Sequence, residues 1–154
     1  MYIPLLALHS LTRWLVLISL VFIIWRAYSG WLLNKPFFKF DNTVRLVTVT
    51  IVHIQFLIGL WLYFISPIVH YFLHNFHTAV HERQIRFFGM EHITVMLISV
   101  VLITIGSAKA KRKTTDKEKF KTIAIWFSIA LFLILTSIPW AFSPLISRPY
   151  FRPF

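Results

Sequence analysis

Five ionisable side chains lie inside long apolar stretches of this sequence: His9, Arg13, His53, Glu91 and His92. An ionisable group in a lipid-facing segment costs at least about 2.5–3.5 kcal/mol on insertion scales, so it normally faces a bundle interior, a cavity or a partner. Neutral imidazole nitrogen is also a common ligand of transition-metal ions. These five residues are therefore the starting point for function.

Three of the five are histidines on three different apolar segments. His9 and Arg13 are spaced i and i+4, so they project from nearly the same face of one helix and can act on one ligand. His9 and His92 lie at a similar depth, ~7–8 Å inside the same boundary, whereas His53 lies near the middle of its segment, about 12 Å deeper. Two imidazoles at matching depth on different helices can hold a planar group between them.

An apolar helix bundle with two such histidines is suited to haem. Helix bundles hold cofactors between facing helices, and haem iron accepts imidazole nitrogen as an axial ligand. We expect His9 and His92 to be the axial pair of a haem b, with His53 as a substitute ligand or the holder of a second haem. Arg13 can neutralise propionates that turn inward. Two histidine ligands leave no open iron position, so such a site carries electrons and does not bind oxygen.

Other roles for the same residues stay open. A single histidine of this kind is as often a hydrogen-bonded packing residue as a ligand, and Arg13 can form an ion pair with Glu91 across the bundle. A quinone is an alternative ligand for a histidine near the interface. Gly89, three residues before His92, leaves a smooth patch where a flat macrocycle or another helix can approach closely. Outward-pointing propionates would instead meet Arg83 or Arg86.

Four further histidines lie outside these stretches, at i, i+4, i+7 and i+11: His70, His74, His77 and His81. That spacing predicts one stripe of a single helix. Neighbouring members could bind a transition metal or titrate near neutral pH. The interpretation we favour is a solvated face of an amphipathic helix that lies on the membrane surface.

Composition explains what must position these residues. The chain has 154 residues, of which 58% are hydrophobic and only 14% charged, whereas a soluble domain carries about 25% charged residues. Four segments, approximately 4–28, 44–66, 87–106 and 122–142, are long enough to cross the roughly 30 Å hydrocarbon layer. Short connections between them favour one all-α domain over residues 1–154, an integral membrane antiparallel four-helix bundle with up-down-up-down order.

Local signals mark the ends of the predicted helices. They are N-cap residues at 41–43 before the second span, a Thr115-x-x-Glu118 capping box before the fourth, Gly106 at the end of the third, and Pro139 near the end of the fourth. The first span has no basic residue before it and no small-residue cleavage site after it. We therefore expect a mature transmembrane helix there, and not a cleaved signal peptide.

The formal net charge of +11 is placed unevenly along the chain. Eleven Lys and Arg residues belong to the first and third connections and their flanks, and four belong to the second connection and the C-terminal segment. The positive-inside tendency then places the two basic connections in the cytoplasm and both termini outside. No nucleic-acid-binding motif accompanies these charges, and the lack of Cys removes thiolate metal sites and covalent haem attachment.

Several short motifs resemble a group of small bacterial four-helix membrane proteins that are labelled cytochrome B. They are Leu8-His9-Ser10-x-x-Arg13-Trp14, Asp41-Asn42-Thr43-x-Arg45, His53-Ile54-Gln55, Arg86-Phe87-Phe88-Gly89-Met90-Glu91-His92, Lys109-Ala110-Lys111-Arg112-Lys113 and Ser137-Ile138-Pro139-Trp140. The resemblance spans nearly the whole chain. It implies a b-type haem in the bacterial cytoplasmic (inner) membrane, with His9, His53 and His92 as ligand candidates and Arg13 beside them.

The sequence thus predicts an electron carrier or a subunit more than a stand-alone enzyme. The favoured hypothesis is a haem b protein that exchanges electrons with the quinol pool or a membrane respiratory complex. The alternative is a haem-free small subunit or assembly factor of a larger membrane complex, in which the histidines make packing or partner contacts. Metal handling at the outer histidine stripe is a third hypothesis. Besides the lipid bilayer, a respiratory complex or a second copy in a homo-oligomer is the expected partner.

Overall fold

The computed structural model describes residues 1–140, and all regular secondary structure in that range is helical. The helices are α1 (Tyr2–Leu32), α2 (Lys39–Ile65), α3 (Pro67–His74), α4 (Phe76–Ala79), α5 (Arg83–Arg86), α6 (His92–Arg112) and α7 (Asp116–Ser137), with a π-helical turn at Phe87–Glu91 that joins α5 to α6. Four stretches are long and apolar enough to cross a membrane, namely α1, α2, the continuous run Arg83–Arg112 and α7. The all-helical prediction with four candidate spans is confirmed.

The helices extend beyond the predicted spans. Helix α1 has 31 residues and is about 46 Å long, so its ends reach past a hydrocarbon layer of roughly 30 Å. The expectation that Gly106 ends the third long helix is wrong, because that helix continues to Arg112. The expected N-cap at 41–43 is also displaced. Helix α2 begins at Lys39, and Asp41 lies in its first turn, where Oδ2 accepts the Phe38 N–H at 2.9 Å.

The two ends of α7 follow the predicted signals. The Glu118 N–H donates to the Thr115 hydroxyl at 3.3 Å, which confirms the N-cap of this helix. At the other end α7 stops at Ser137, and Ile138 is extended with φ −79° and ψ 129°, as the residue before Pro139 is expected to be. Residues 141 and 142 of the predicted fourth span lie outside the described residues.

The four long helices pack side by side: α1 contacts α2 and α7, and α6 also contacts α2 and α7. Apolar side chains fill the space between them, including Leu20, Ile23, Ile103, Ile123 and Phe127, all with at most 1% exposure. The opposite faces of the same helices expose large apolar side chains. This distribution fits helices whose surroundings are lipid.

Glycine allows the closest of these helix contacts. A Cβ added at Gly30 of α1 would lie 2.4 Å from the Phe120 ring of α7, and one added at Gly106 of α6 would lie 2.4 Å from Cβ of Trp126. Both distances are too short for a real side chain. Gly106 therefore serves helix packing in the interior of α6.

Residues 26–45 and 106–121 form one end of the bundle, which we call the basic end. Its buried polar side chains are paired within the chain. Asp41 is completely buried, and its Oδ1 lies 2.7 Å from Nη2 of Arg26. Arg45 is 3% exposed and donates from Nη1 to the Ser107 hydroxyl and to the Ser107 carbonyl, and from Nη2 to Asn42 at 2.7 Å. Arg45, one of the eleven basic residues assigned to the first and third connections and their flanks, thus ties α2 to α6.

The predicted single helix through the four outer histidines is wrong. Helix α3 ends at His74, Asn75 is non-helical with φ −124° and ψ 38°, and α4 continues only to Ala79. The stripe is therefore split into a stacked pair, His70 and His74, with ring centroids 4.0 Å apart, and a second pair, His77 and His81, at 6.3 Å. Within residues 1–140, no group of three or more His, Asp or Glu side chains is arranged to hold a metal ion.

Candidate functional site

A cavity of about 420 Å³ lies at the end of the long helices away from the basic end, and we call it the histidine cavity. Its walls come from α1, α2, α3, α6 and the segment at the end of α7. They are mostly apolar, with side chains such as Leu6, Val52, Phe56 and Met96. The size and the few polar groups among apolar walls are typical of small-molecule and cofactor sites. Three of the predicted residues, His9, Arg13 and His92, line this one cavity.

His92 is held by the end of α7. Its Nδ1 donates to the Ser137 carbonyl at 2.9 Å, and a carbonyl can only accept, so Nδ1 carries the proton. Ser137 is the last residue of α7, and its carbonyl is one of the groups that a helix C-terminus leaves without a helical partner. Pro139 contributes because it stops the helix there. The neutral His92 ring therefore presents Nε2 as its basic nitrogen, an arrangement typical of metal-ligating histidines.

His9 is held by α2. Its ring packs against Gly59, where an added Cβ would lie 2.9 Å from His9 Cε1, so only glycine leaves room for the ring in this position. The Gln55 side chain donates from Nε2 to the His9 carbonyl at 2.9 Å, and the Thr12 hydroxyl donates to Gln55 Oε1. These bonds tie the third turn of α1 to α2 beside the cavity.

One nitrogen of His9 is buried without a hydrogen-bond partner. Nδ1 of His9 is shielded from solvent, and no residue within 1–140 bonds to it. Buried polar atoms in folded proteins are nearly always paired, because an unsatisfied one costs about 1–3 kcal/mol. The cavity-lining ring of His9 therefore has one nitrogen whose hydrogen-bonding capacity the described residues leave unused.

Arg13 adds a positive charge to the same cavity. Its guanidinium carbon lies 5.3 Å from the Trp14 ring centroid, within the range of a cation–π contact. Arg13 follows His9 by one helical turn, as the i and i+4 spacing predicts, and both line the cavity. The site thus contains two imidazoles and one guanidinium in mostly apolar surroundings.

Two predicted residues lie elsewhere. His53 does not belong to the cavity lining, and its Nε2 lies 3.0 Å from the Thr104 hydroxyl of α6. Glu91 Oε1 accepts from Arg86 Nε at 2.6 Å, which gives Glu91 an ion-pair partner other than Arg13. Arg86 also donates to the Val80 carbonyl at 3.2 Å. This ion pair ties the π-helical turn to the chain before it.

The smooth patch expected beside His92 serves a helix contact. A Cβ at Gly89 would lie 2.4 Å from the Phe72 ring, so α3 approaches this glycine closely. The π-helical turn at Phe87–Glu91 is the reason that Gly89 and His92 do not share a face. A π turn has more residues per turn than an α-helix, so the i and i+3 alignment is lost across it. Phe87 and Phe88 flank the His92 ring instead, with centroids 5.7 and 6.4 Å away.

Sequence reasoning missed the supporting residues on α2. Gln55 and Gly59 are spaced i and i+4, so they share the helix face toward the cavity, and Tyr63 is one turn further along. A glutamine inside an apolar segment is the same kind of anomaly as a histidine there. That signal is present within the His53-Ile54-Gln55 motif, although glutamine is not an iron ligand.

Comparisons with protein-family models, curated proteins and solved structures found no match to this chain. The resemblance to the cytochrome B group thus stays a prediction, and the case for function rests on the residues of the cavity.

The donor set of the cavity fits a haem b. Nε2 of His92 is the basic nitrogen of its ring, His9 has a buried nitrogen without a partner, and Arg13 offers a cation for a carboxylate. Imidazole nitrogens are standard axial ligands of haem iron, and an apolar cavity matches the porphyrin plane. His9 belongs to α1 and His92 to α6, as in cofactor sites between facing helices.

Proposed function

We propose that this protein holds haem b in the histidine cavity, with His9 and His92 as axial ligands, and serves in electron transfer in a membrane. Haem, when bound, supplies reversible one-electron redox chemistry. The observation that supports this most directly is the pairing in one apolar cavity of a His92 ring with its tautomer set by Ser137 and a His9 ring with an unpartnered buried nitrogen.

Each of the named residues has a defined task in this proposal. The Ser137 carbonyl orients the His92 ring and raises the basicity of its Nε2. Gln55 and Gly59 position His9 from the facing helix. Arg13 neutralises a propionate inside the cavity, and the apolar walls limit water around the site, which tunes the reduction potential.

The membrane arrangement in this proposal is an antiparallel four-helix bundle, up-down-up-down, in the bacterial cytoplasmic membrane. The basic end faces the cytoplasm by the positive-inside tendency, so the histidine cavity lies toward the outer face and both termini are outside. Electrons would be exchanged with the quinol pool or with a membrane respiratory complex. Thr78 and Thr114 are both exposed, they lie in connections at opposite ends of the bundle, and the chain has no native Cys.

A cysteine-labelling experiment tests this orientation. In intact cells a membrane-impermeant maleimide should label a Thr78→Cys variant, whereas a Thr114→Cys variant should react only after the membrane is opened. The opposite labelling pattern would reverse the orientation.

An optical spectrum with haem quantification tests the cofactor. Protein purified from cells with adequate haem supply should show a reduced-minus-oxidised absorbance pair and one haem per chain. The single variants His9→Ala and His92→Ala should each lose it, because each removes one axial ligand. His74→Ala, which changes a histidine outside the cavity, is the matched control and should keep full haem content.

Three results would contradict the proposal. A colourless wild-type protein would remove haem from the account. Loss of haem in a His53→Ala variant would show that His53 is a ligand and that the proposed pair of His9 and His92 is wrong. Co-purification of a larger complex whose activity survives in the His9→Ala, His92→Ala double variant would instead favour a haem-free small subunit or assembly factor.

A further inference from the structure

Cations mark the end of the apolar zone on two neighbouring helices at the basic end. Helix α6 has no Asp, Glu, Lys or Arg between His92 and Lys109, and α7 has none from residue 122 to its end at Ser137. Cations at such a boundary lie at the depth of the lipid headgroups. Lys109 and Arg112 are both exposed, and their i and i+3 spacing places them on the same side of α6.

Lys109 is held over an aromatic ring of the neighbouring helix. Its Nζ lies 4.7 Å from the ring centroid of Trp126 on α7, within the range of a cation–π contact. Gly106 permits this arrangement, because a Cβ there would collide with Trp126 Cβ. The ammonium therefore lies where the surface groove between α6 and α7, which we call the α6–α7 groove, reaches the headgroup region.

The groove continues from this cation into the apolar zone. Ile98 and Ile105 precede Lys109 on the same side of α6, and Ile129 follows Trp126 by one turn of α7. These three isoleucines are 39–49% exposed. Trp126 itself is half-buried, and its indole N–H donates to no residue within 1–140. The groove thus has two cations and a hydrogen-bond donor near one end and apolar walls along its length.

The charge of the groove is not neutralised within the chain. None of the ion pairs within residues 1–140 includes Lys109 or Arg112, and α6 contains no carboxylate. An occupant that matches both the cations and the apolar walls must carry an anion and an alkyl chain. A soluble acidic protein offers only the first. A zwitterionic headgroup brings its own ammonium close to the two cations, so a headgroup with a net negative charge is favoured.

We infer that the α6–α7 groove binds an anionic phospholipid of the phosphatidylglycerol class, whose phosphodiester lies between Lys109 and Arg112. The Trp126 ring then contacts the glycerol region, and one acyl chain lies along the three isoleucines. This inference needs no haem, so it stands or fails separately from the proposed function.

Native mass spectrometry of the full-length protein in detergent tests the site. Dioleoylphosphatidylglycerol should bind more tightly than dioleoylphosphatidylcholine, which has the same acyl chains. Lys109→Gln should weaken phosphatidylglycerol binding about fivefold, the value for one interfacial cation, and Lys109→Arg should retain it. Lys111→Gln is the matched control. It removes the same charge from an exposed position on α6 that is turned by about 200° from Lys109, so it should have little effect.

A second measurement reports on the groove directly. In protein labelled with fluorotryptophan, the ¹⁹F resonance of Trp126, assigned by its absence from Trp126→Phe, should shift on addition of phosphatidylglycerol and much less with phosphatidylcholine. An unshifted Trp126 resonance overturns the inference.

Three further results would also overturn it. Equal loss of affinity in Lys109→Gln and Lys111→Gln would mean that the net charge of +11 attracts lipid without a site. Displacement of the lipid by inorganic phosphate at the same concentration would assign the two cations to a free anion. Displacement by soluble poly-glutamate at equal charge would assign the surface to an acidic protein.

Discussion

The basic end and the histidine end of the molecule treat buried polar groups in opposite ways. At the basic end Asp41 is completely buried, yet its carboxylate is paired with Arg26 and with the Phe38 N–H. At the histidine end the Nδ1 atom of His9 is buried without a partner within residues 1–140, next to a cavity of about 420 Å³. Both groups belong to helices that are apolar enough to cross a membrane.

The difference separates stability from function. A paired group in a filled interior contributes to one folded arrangement, and its loss leaves an uncompensated charge. A buried group without a partner instead lowers the stability of the fold, by about 1–3 kcal/mol, until a partner is supplied. The position of a polar residue inside an apolar helix does not show whether it stabilises the fold or serves a ligand. Its hydrogen bonds and the cavity next to it distinguish the two roles.

The largest expected effect is the removal of Arg26. Arg26→Met leaves the fully buried Asp41 carboxylate without its cation and should lower the free energy of unfolding by about 3–5 kcal/mol. His9→Leu removes an unpartnered buried nitrogen, so we expect it to leave the stability of the haem-free protein unchanged or slightly higher. Reversible unfolding in mixed micelles measures both.

Haem-free protein is needed for this comparison, since bound haem would add its own stabilisation to the wild type. Lys39→Met, at an exposed position near the same end, controls for the loss of one positive charge. A loss of several kcal/mol in His9→Leu would show that His9 is a structural residue and would remove the contrast between the two ends.

The next effect compares one substitution at two glycines. Gly30→Ala forces a Cβ into the Phe120 ring, which is 1% exposed and has no room to move, so overpacking should cost about 1–3 kcal/mol. Gly59→Ala meets only the far end of the His9 ring, which can swing toward the cavity. The higher helix propensity of alanine, up to about 1 kcal/mol, should then leave Gly59→Ala neutral or stabilising.

The two readouts of Gly59→Ala should diverge. If His9 ligates haem as proposed, a displaced ring would be a worse ligand, so haem content or the reduction potential should change although stability does not. Equal destabilisation by Gly30→Ala and Gly59→Ala in thermal unfolding would mean that the wall beside His9 is as tightly filled as the interface of α1 with α7.

Much of the helix layout could be predicted from the sequence, because it depends on local signals. Apolar runs gave four long helices, Thr115 marked the start of α7, and Pro139 marked its end. The shared depth of His9 and His92 followed from the constant rise of a helix, and both residues line the histidine cavity.

The contacts that build the site depend on how the helices are rotated against one another. Helices that are apolar on nearly all sides carry little information about which face meets a neighbour. The bonds of His92 to Ser137 and of Gln55 to His9 join residues about 45 positions apart, so no local spacing predicts them. The π-helical turn before His92 and the break at Asn75 each changed which residues share a face.

The smallest expected effect concerns the π-helical turn itself. The Tyr63 hydroxyl donates to the Gly89 carbonyl at 2.9 Å, and this bond links α2 to the irregular turn three residues before His92. Tyr63→Phe should lower stability by only about 1 kcal/mol, the usual net value of one hydrogen bond. Because the turn sets where α6 begins, the same variant should change the His92 ligand and therefore shift the reduction potential of bound haem. Tyr71→Phe, whose exposed hydroxyl lies 3.4 Å from Glu82, is the matched control and should change neither quantity. A Tyr63→Phe variant with an unchanged potential would show that the turn is structural only, and that the Ser137 carbonyl alone orients His92.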